Sequence, residues 1–239
     1  MSITPVSWPG PSQLWQVELD AAPAPGAAAC LSEAEWARAR RFAFTRDRDR
    51  FIAAHAALRQ VLAAQSGTHP ALLEFDEGAF GKPALGGEAG PHFNLSHSQS
   101  LALIAVDAQC AVGIDIELPR AIPDLRALAA TCFTPNEVCA LDALPSGRRE
   151  RAFFNGWTRK EACVKALGLG LSADLQRLEV GLDEVDRSVS YAGADGCEHT
   201  LRVLSVPLAG GAIGALAIQT SCVRRRVSQP RRATLETLQ

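Results

Sequence analysis

Four short runs of this chain carry residues able to do chemistry. Val112-Gly113-Ile114-Asp115-Ile116-Glu117 alternates as a strand does, and strand side chains repeat every two residues, so Asp115 and Glu117 project from one face. Two carboxylates converging at a strand end suit a hard divalent cation such as Mg²⁺, which takes oxygen ligands and keeps waters that a phosphate can replace. A solvated polar strand face would give the same pattern. In Trp157-Thr158-Arg159-Lys160-Glu161-Ala162-Cys163-Val164-Lys165, helical spacing puts Trp157, Glu161 and Lys165 on one stripe. A surface Glu-Lys pair is common and adds only about 0.2–0.5 kcal/mol. Tryptophan is costly to leave in water, however, so the stripe resembles a cleft wall.

The third run, Gly78-Ala79-Phe80-Gly81-Lys82-Pro83, combines glycines that allow close approach, a stiffening proline and a lysine that offers a phosphate a point charge. It lacks the spacing of a P-loop, and a plain hairpin turn would look alike. The fourth, His92-Phe93-Asn94-Leu95-Ser96-His97-Ser98, ends a strand in a polar cluster that can present a histidine and hydroxyls to an anion. No Gly-x-Ser-x-Gly elbow supports a serine hydrolase here.

The 239 residues carry a formal net charge of −2 and are 47% hydrophobic and 21% charged, the composition of a soluble globular chain with one large or two small domains. Near-neutral charge argues against a general nucleic-acid binder. Seven cysteines without a Cys-x-x-Cys pair fit neither a disulfide framework nor a structural zinc site, and suggest reduced thiols in the cytoplasm. No secretory leader pattern is visible, and the apolar stretch 206–218 is broken by Pro207 and too short to span a bilayer. Only Lys82, Lys160 and Lys165 are lysines among 24 basic residues. A compact ammonium on a flexible stem suits phosphate contacts by Lys82 and Lys165, whereas Lys160 lies off the stripe and gains no contact from spacing.

These runs need elements to hold them. Alternation at 14–19 predicts an edge strand followed by a loop. Ser32 with Glu35 forms a capping-box pattern opening a helix that runs through residue 42, and a second helix covers 46–65. Strands follow at 72–76, 93–95, 101–106 and 111–117. Thr134 to Glu137 supplies another capping box, a long helix spans 147–167, and strands are predicted at 178–182, 189–191, 201–206 and 213–218. The order helix, strands, helix, strands, with 100–106 echoed by 214–218, predicts an α+β fold of two similar halves. These halves are residues 1–111 and 112–223, with the site in the cleft between them and a disordered arginine-rich tail at 224–239.

In this order, Gly81-Lys82-Pro83, Phe93-Asn94-Leu95-Ser96-His97-Ser98, Gly113-Ile114-Asp115-Ile116-Glu117 and Trp157-x-x-Lys160-Glu161-Ala162-x-x-Lys165 resemble the motifs of the 4′-phosphopantetheinyl transferases of the larger, Sfp type. The resemblance implies a monomeric pseudo-dimer with coenzyme A in its cleft. It implies transfer of the phosphopantetheine arm to a serine of an apo acyl, aryl or peptidyl carrier protein, releasing adenosine 3′,5′-bisphosphate. It further implies that Asp115, Glu117 and Glu161 hold Mg²⁺, with Glu161 also the general base. Lys165, Ser96 and His97 would meet the phosphates, and Lys82 and Pro83 would line the adenine and phosphate end. Arg38 would bind the 3′-phosphate, with Arg50 and His55 as further candidates. Two other readings fit the same residues: a Mg²⁺-dependent nucleotide pyrophosphate hydrolase, and a non-catalytic module that binds coenzyme A or a carrier protein.

Overall fold

The computed structural model describes residues 1–21, 26–78, 80–86, 90–193 and 196–224. The predicted tail lies, from residue 225 onward, outside the described residues. Along the chain run β1 (Ser2–Pro5), β2 (Gln13–Glu18), α1 (Glu33–Ala39), α2 (Thr45–Ser66), β3 (Phe75–Glu77), β4 (Pro83–Leu85), β5 (His92–Ser98), β6 (Leu101–Asp107) and β7 (Val112–Glu117). There follow α3 (Leu125–Cys132), α4 (Pro135–Ala143), α5 (Ser146–Leu167), β8 (Arg187–Ala192), β9 (Cys197–Val206) and β10 (Ile213–Arg224). No helix among the described residues is long and apolar enough to cross a membrane.

The strands form two four-stranded antiparallel sheets, ordered β1-β2-β6-β5 and β7-β10-β9-β8, plus the small β3-β4 hairpin. One pattern underlies both sheets. The series β2, α1, α2, β5, β6 is repeated as β7, α4, α5, β9, β10, and the strand order β2-β6-β5 is matched by β7-β10-β9. The echoed sequences fall on the equivalent strands β6 and β10. Each capping box is present, Ser32 with Glu35 opening α1 and Thr134 with Glu137 opening α4. Each 22-residue helix, α2 and α5, ends at a left-handed glycine, Gly67 (φ 70°) and Gly168 (φ 66°), where any other L-residue would be strained.

Alternation on the sheets sorts most of their buried residues between three cores. Ala102, Ile104 and Val106 of β6 pack with α2 residues such as Leu58 and Leu62. Ala215 and Ala217 of β10 pack with Ala162, Cys163 and Ala166 of α5. The opposite faces meet in a shared core of Leu103, Ala105, Ile114, Ile116, Leu204 and Leu216, which joins the two sheets. Since Ile114 and Ile116 face that shared core, Asp115 and Glu117 must face the α5 side. Gly113 makes this face very close to the helix: a Cβ there would lie 2.0 Å from Ala162 O and 2.3 Å from Ala166 N.

Several elements depart from the sequence reading. Strand β1 was not anticipated; it pairs with the edge of β2. The predicted strand at 72–76 begins only at Phe75, because residues Pro70–Leu72 form a 3₁₀ turn whose segment is held by Arg59 Nη1 donating to Pro70 O and Leu73 O. Residues 178–182 are not a strand. Their backbone groups pair with side chains instead: Val180 N and Gly181 N donate to Glu137 Oε1, Lys160 Nζ donates to Leu178 O, and Arg159 Nη1 donates to Val180 O. The strand predicted at 93–95 extends through the polar cluster 96–98, which belongs to β5.

Candidate active site

Strands β5 and β7, at the edges of the two sheets, lie side by side and are joined by side chains. Ile114 N donates to Asn94 Oδ1 at 2.8 Å, Ser96 Oγ to Asp115 Oδ1 at 2.7 Å, and Ser98 Oγ to Glu117 Oε2 at 2.7 Å. Alternate residues of β5 thus line the junction, while Phe93 and Leu95 pack into the α2 core. His97 shares their face and is exposed at its end.

Helix α5 brings Glu161 and Lys165 over β7. Lys165 Nζ lies 2.6 Å from Asp115 Oδ1 and 3.0 Å from Ser96 Oγ. Burial pushes the Asp115 carboxyl above its ordinary range, with Lys165 and Ser96 opposing and the Glu117 charge adding. Glu161 is half-buried and has no hydrogen-bond or ion-pair partner among the described residues. Its carboxyl is also raised, first by burial and then by the charge of Asp115, against the pull of Lys165. Glu117 also meets Arg120 Nη1 at 3.2 Å. Among the described residues, no three His, Cys, Asp or Glu side chains close into a ready metal cage.

Beside these groups opens a cavity of about 420 Å³, walled by Phe80, Lys82 and Pro83 on one side and by Trp157, Glu161 and Lys165 on the other. The Trp157 stripe is therefore a cleft wall, and Trp157 is held by stacking on Phe153 with rings 6.4 Å apart and nearly parallel. A larger cavity, about 540 Å³ near Arg151, Asp186 and Leu208, is lined by none of the candidate site residues. The chemistry, rather than the volume, marks the smaller one.

Lys82 takes an unexpected position. Its Nζ donates to Val112 O at 2.8 Å and Ala166 O at 3.1 Å, tying the β3-β4 hairpin to the start of β7 and the last turn of α5. Burial lowers its pKa to about 8. Lys160 is fully buried and does not line the cavity, pairing with Glu137 at 2.8 Å and donating to Leu175 O and Leu178 O. Leu175 itself lines the cavity.

A second, basic region surrounds His97. Partial loss of hydration beside the surrounding chain, and then the charges of Lys165, His55, Arg38 and Arg50, push its pKa below the ordinary imidazole value. Arg50 is already engaged, donating from Nε and Nη2 to both oxygens of Asp20 at 2.6 and 2.7 Å. Arg38 is exposed and lies over the Phe51 ring at 5.4 Å. His55 stacks on Phe51 with ring centroids 4.0 Å apart, and its Nδ1 is 3.0 Å from Glu35 Oε1. Asn94, Glu35 and Glu137 support this site and were not singled out as site residues from the sequence. For the two glutamates the available signal was their place at the third position of a capping box.

Residues 111–206 match the family described as the 4′-phosphopantetheinyl transferase superfamily, and residues 20–109 match 4′-phosphopantetheinyl transferase, N-terminal. The chain is 43% identical over 174 residues to 4′-phosphopantetheinyl transferase HetI of Nostoc sp., an alignment covering 71% of this chain and 73% of that protein. It is 32% identical over 170 residues to a 4′-phosphopantetheinyl transferase of Bacillus subtilis, covering 71% and 74%. With 4′-phosphopantetheinyl transferase Sfp of Bacillus subtilis it shares 30% identity over 147 residues, covering 62% and 64%. Two matched halves that follow one another along the chain, and similarity to relatives over most of their length, show that the chain belongs to the 4′-phosphopantetheinyl transferase superfamily.

Proposed function

We propose that the protein transfers the 4′-phosphopantetheine arm of coenzyme A to a serine hydroxyl of an apo carrier protein, releasing adenosine 3′,5′-bisphosphate. The observation that carries this reading is the meeting of Asp115, Glu161 and Lys165 with Ser96 beside a cavity at the junction of the two sheets. The halves 1–111 and 112–223 would act as one monomeric, cytoplasmic unit that binds neither membrane nor nucleic acid.

The carboxylates suit Mg²⁺ by their chemistry. All are hard oxygen donors, Glu161 lacks a hydrogen-bond or ion-pair partner among the described residues, and burial and mutual repulsion disfavour the anions of Asp115 and Glu161 in a way a divalent cation would relieve. Mg²⁺ held by Asp115, Glu117 and Glu161 would neutralise charge on the pyrophosphate and on the departing phosphate. Glu161 takes the proton of the carrier serine as its oxygen attacks phosphorus. The new bond joins that oxygen to phosphorus while the bond to the adenosine bisphosphate breaks. Lys165 steadies the phosphates from α5, and His97, Ser96, Arg38 and Arg50 do so from the first half. Lys82 and Pro83, which line the cavity, would border the adenine end.

The test is mass spectrometry of an apo carrier protein incubated with coenzyme A and Mg²⁺. The native protein should add one phosphopantetheine, and Glu161→Gln should slow the addition by about 10²- to 10⁴-fold with the fold intact. Full activity in that variant would overturn the role of Glu161. Release of free phosphopantetheine to water without a carrier would replace transfer by hydrolysis.

A further inference from the structure

Asp115 carries a cation of the protein's own. Its Oδ1 lies 2.6 Å from Lys165 Nζ and accepts from Ser96 Oγ at 2.7 Å, while the same ammonium lies 3.0 Å from Ser96 Oγ. The three groups form a closed triangle at one oxygen of a carboxylate that is 5% exposed. An ammonium at this position satisfies a buried anion that would otherwise be costly. Glu161, one turn earlier on the same helix, has no such partner among the described residues. The acidic groups are therefore unequal: one is neutralised from within, and one is not.

We propose that Lys165 is the internal counter-cation of the site, competing with a divalent cation for Asp115, so that cation loading releases the ammonium toward the coenzyme's phosphates. The inference rests on the reading of Asp115 as a metal ligand given above. Its physical basis is repulsion: an ammonium and a divalent ion on one carboxylate lie within a few ångströms of each other in a poorly screened setting. Each must then weaken the other's hold, and the coupling is reciprocal. The same lysine that favours the loaded complex through the phosphates opposes metal binding while the coenzyme is absent.

The experiment is titration of the protein with Mn²⁺, followed by the electron paramagnetic resonance of free Mn²⁺, without and with coenzyme A. Without coenzyme, Lys165→Gln and Lys165→Met should bind Mn²⁺ about tenfold more tightly than the native protein, within the ~5- to 150-fold range of ordinary coupling between sites. Lys165→Arg, which keeps the charge, should stay close to native. With coenzyme A present the advantage of the uncharged variants should vanish or reverse. Equal or weaker Mn²⁺ binding by both uncharged variants, in proteins where Asp115→Asn abolishes binding, would overturn the competition and leave Asp115 a ligand. Binding indifferent to Asp115→Asn would overturn the ligand assignment and the inference with it.

Discussion

The ammonium of Lys160 lies 2.8 Å from the Glu137 carboxylate with both groups buried, although the next residue, Glu161, lines the cavity. Arg59 stands in the same relation to Glu35 at 2.8 Å in the first half. Arg59 and Lys160 each precede the glycine that ends their helix by eight residues, each meets a capping-box glutamate, and each donates to two backbone carbonyls beyond the helix. Burial lowers the pKa of Lys160, and Glu137 opposes that shift.

Removing one partner of a buried pair leaves the other uncompensated. Lys160→Met should therefore destabilise the fold by about 3–5 kcal/mol in urea unfolding. Lys160→Arg should lose less, because Arg59 meets the same demands in the equivalent position. An arginine variant as unstable as the methionine one would break the equivalence of the two units.

Gly113 sets the distance between β7 and α5. With an added Cβ only 2.0 Å from Ala162 O, the clash is with helix backbone and no side chain can move to absorb it. Gly113→Ala should cost at least about 1–3 kcal/mol, the range of overpacked cores. For a domain of this size that lowers Tm by roughly 2–4 °C per kcal/mol. Unchanged thermal unfolding would show that the helix can lift off the strand without penalty.

How far the site can be read from sequence depends on the range of the contact. The shared face of Asp115 and Glu117 follows from a period of two, and the Trp157, Glu161, Lys165 wall from a period near 3.6; both are local. The position of Lys82 on Val112 O and Ala166 O joins segments far apart in the chain, and no periodicity encodes it. The same holds for Lys160. Its neighbour Glu161 faces the cavity, yet the buried direction of Lys160 depends on Glu137 and on the path of residues 175–181. That path also explains the missing strand at 178–182: its apolar alternation is real, but side chains already use the backbone groups a ladder would need.

Glu35 makes stability depend on acid. Burial alone would raise its pKa, but hydrogen bonds from His55 and Ser32 and the charge of Arg59 prevail and hold it at about 2, against 4.5 for an ordinary glutamate. Between those values the unfolded chain takes up a proton that the folded one does not. The contribution of Glu35 is thus fully present above about pH 4.5 and is lost as pH falls toward 2. Urea unfolding of Glu35→Gln should show a protein weaker than native at pH 7, with the difference shrinking between pH 5 and pH 3. A difference independent of pH would mean that the charge of Glu35 contributes nothing to the fold.

The charges of Arg38 and Arg50 both act on His97, but their engagements differ. Arg50 already spends two donors on Asp20, and that pairing lowers the pKa of Asp20. Arg38 makes no carboxylate contact among the described residues, is exposed, and rests on the Phe51 ring, so its guanidinium meets no competing anion there. A guanidinium free to fork onto a phosphate should carry more of the coenzyme's 3′-phosphate than one that must first leave an aspartate. Hydrogen bonds to charged groups are worth about 1.5–3 kcal/mol, so Arg38→Ala should raise KM for coenzyme A by about 10- to 100-fold with kcat little changed. The same variant should leave KM for dephospho-coenzyme A, which lacks the 3′-phosphate, near its native value. Arg50→Ala should have the smaller effect on coenzyme A, and the reverse order would assign the 3′-phosphate to Arg50, with Asp20 as the group it exchanges.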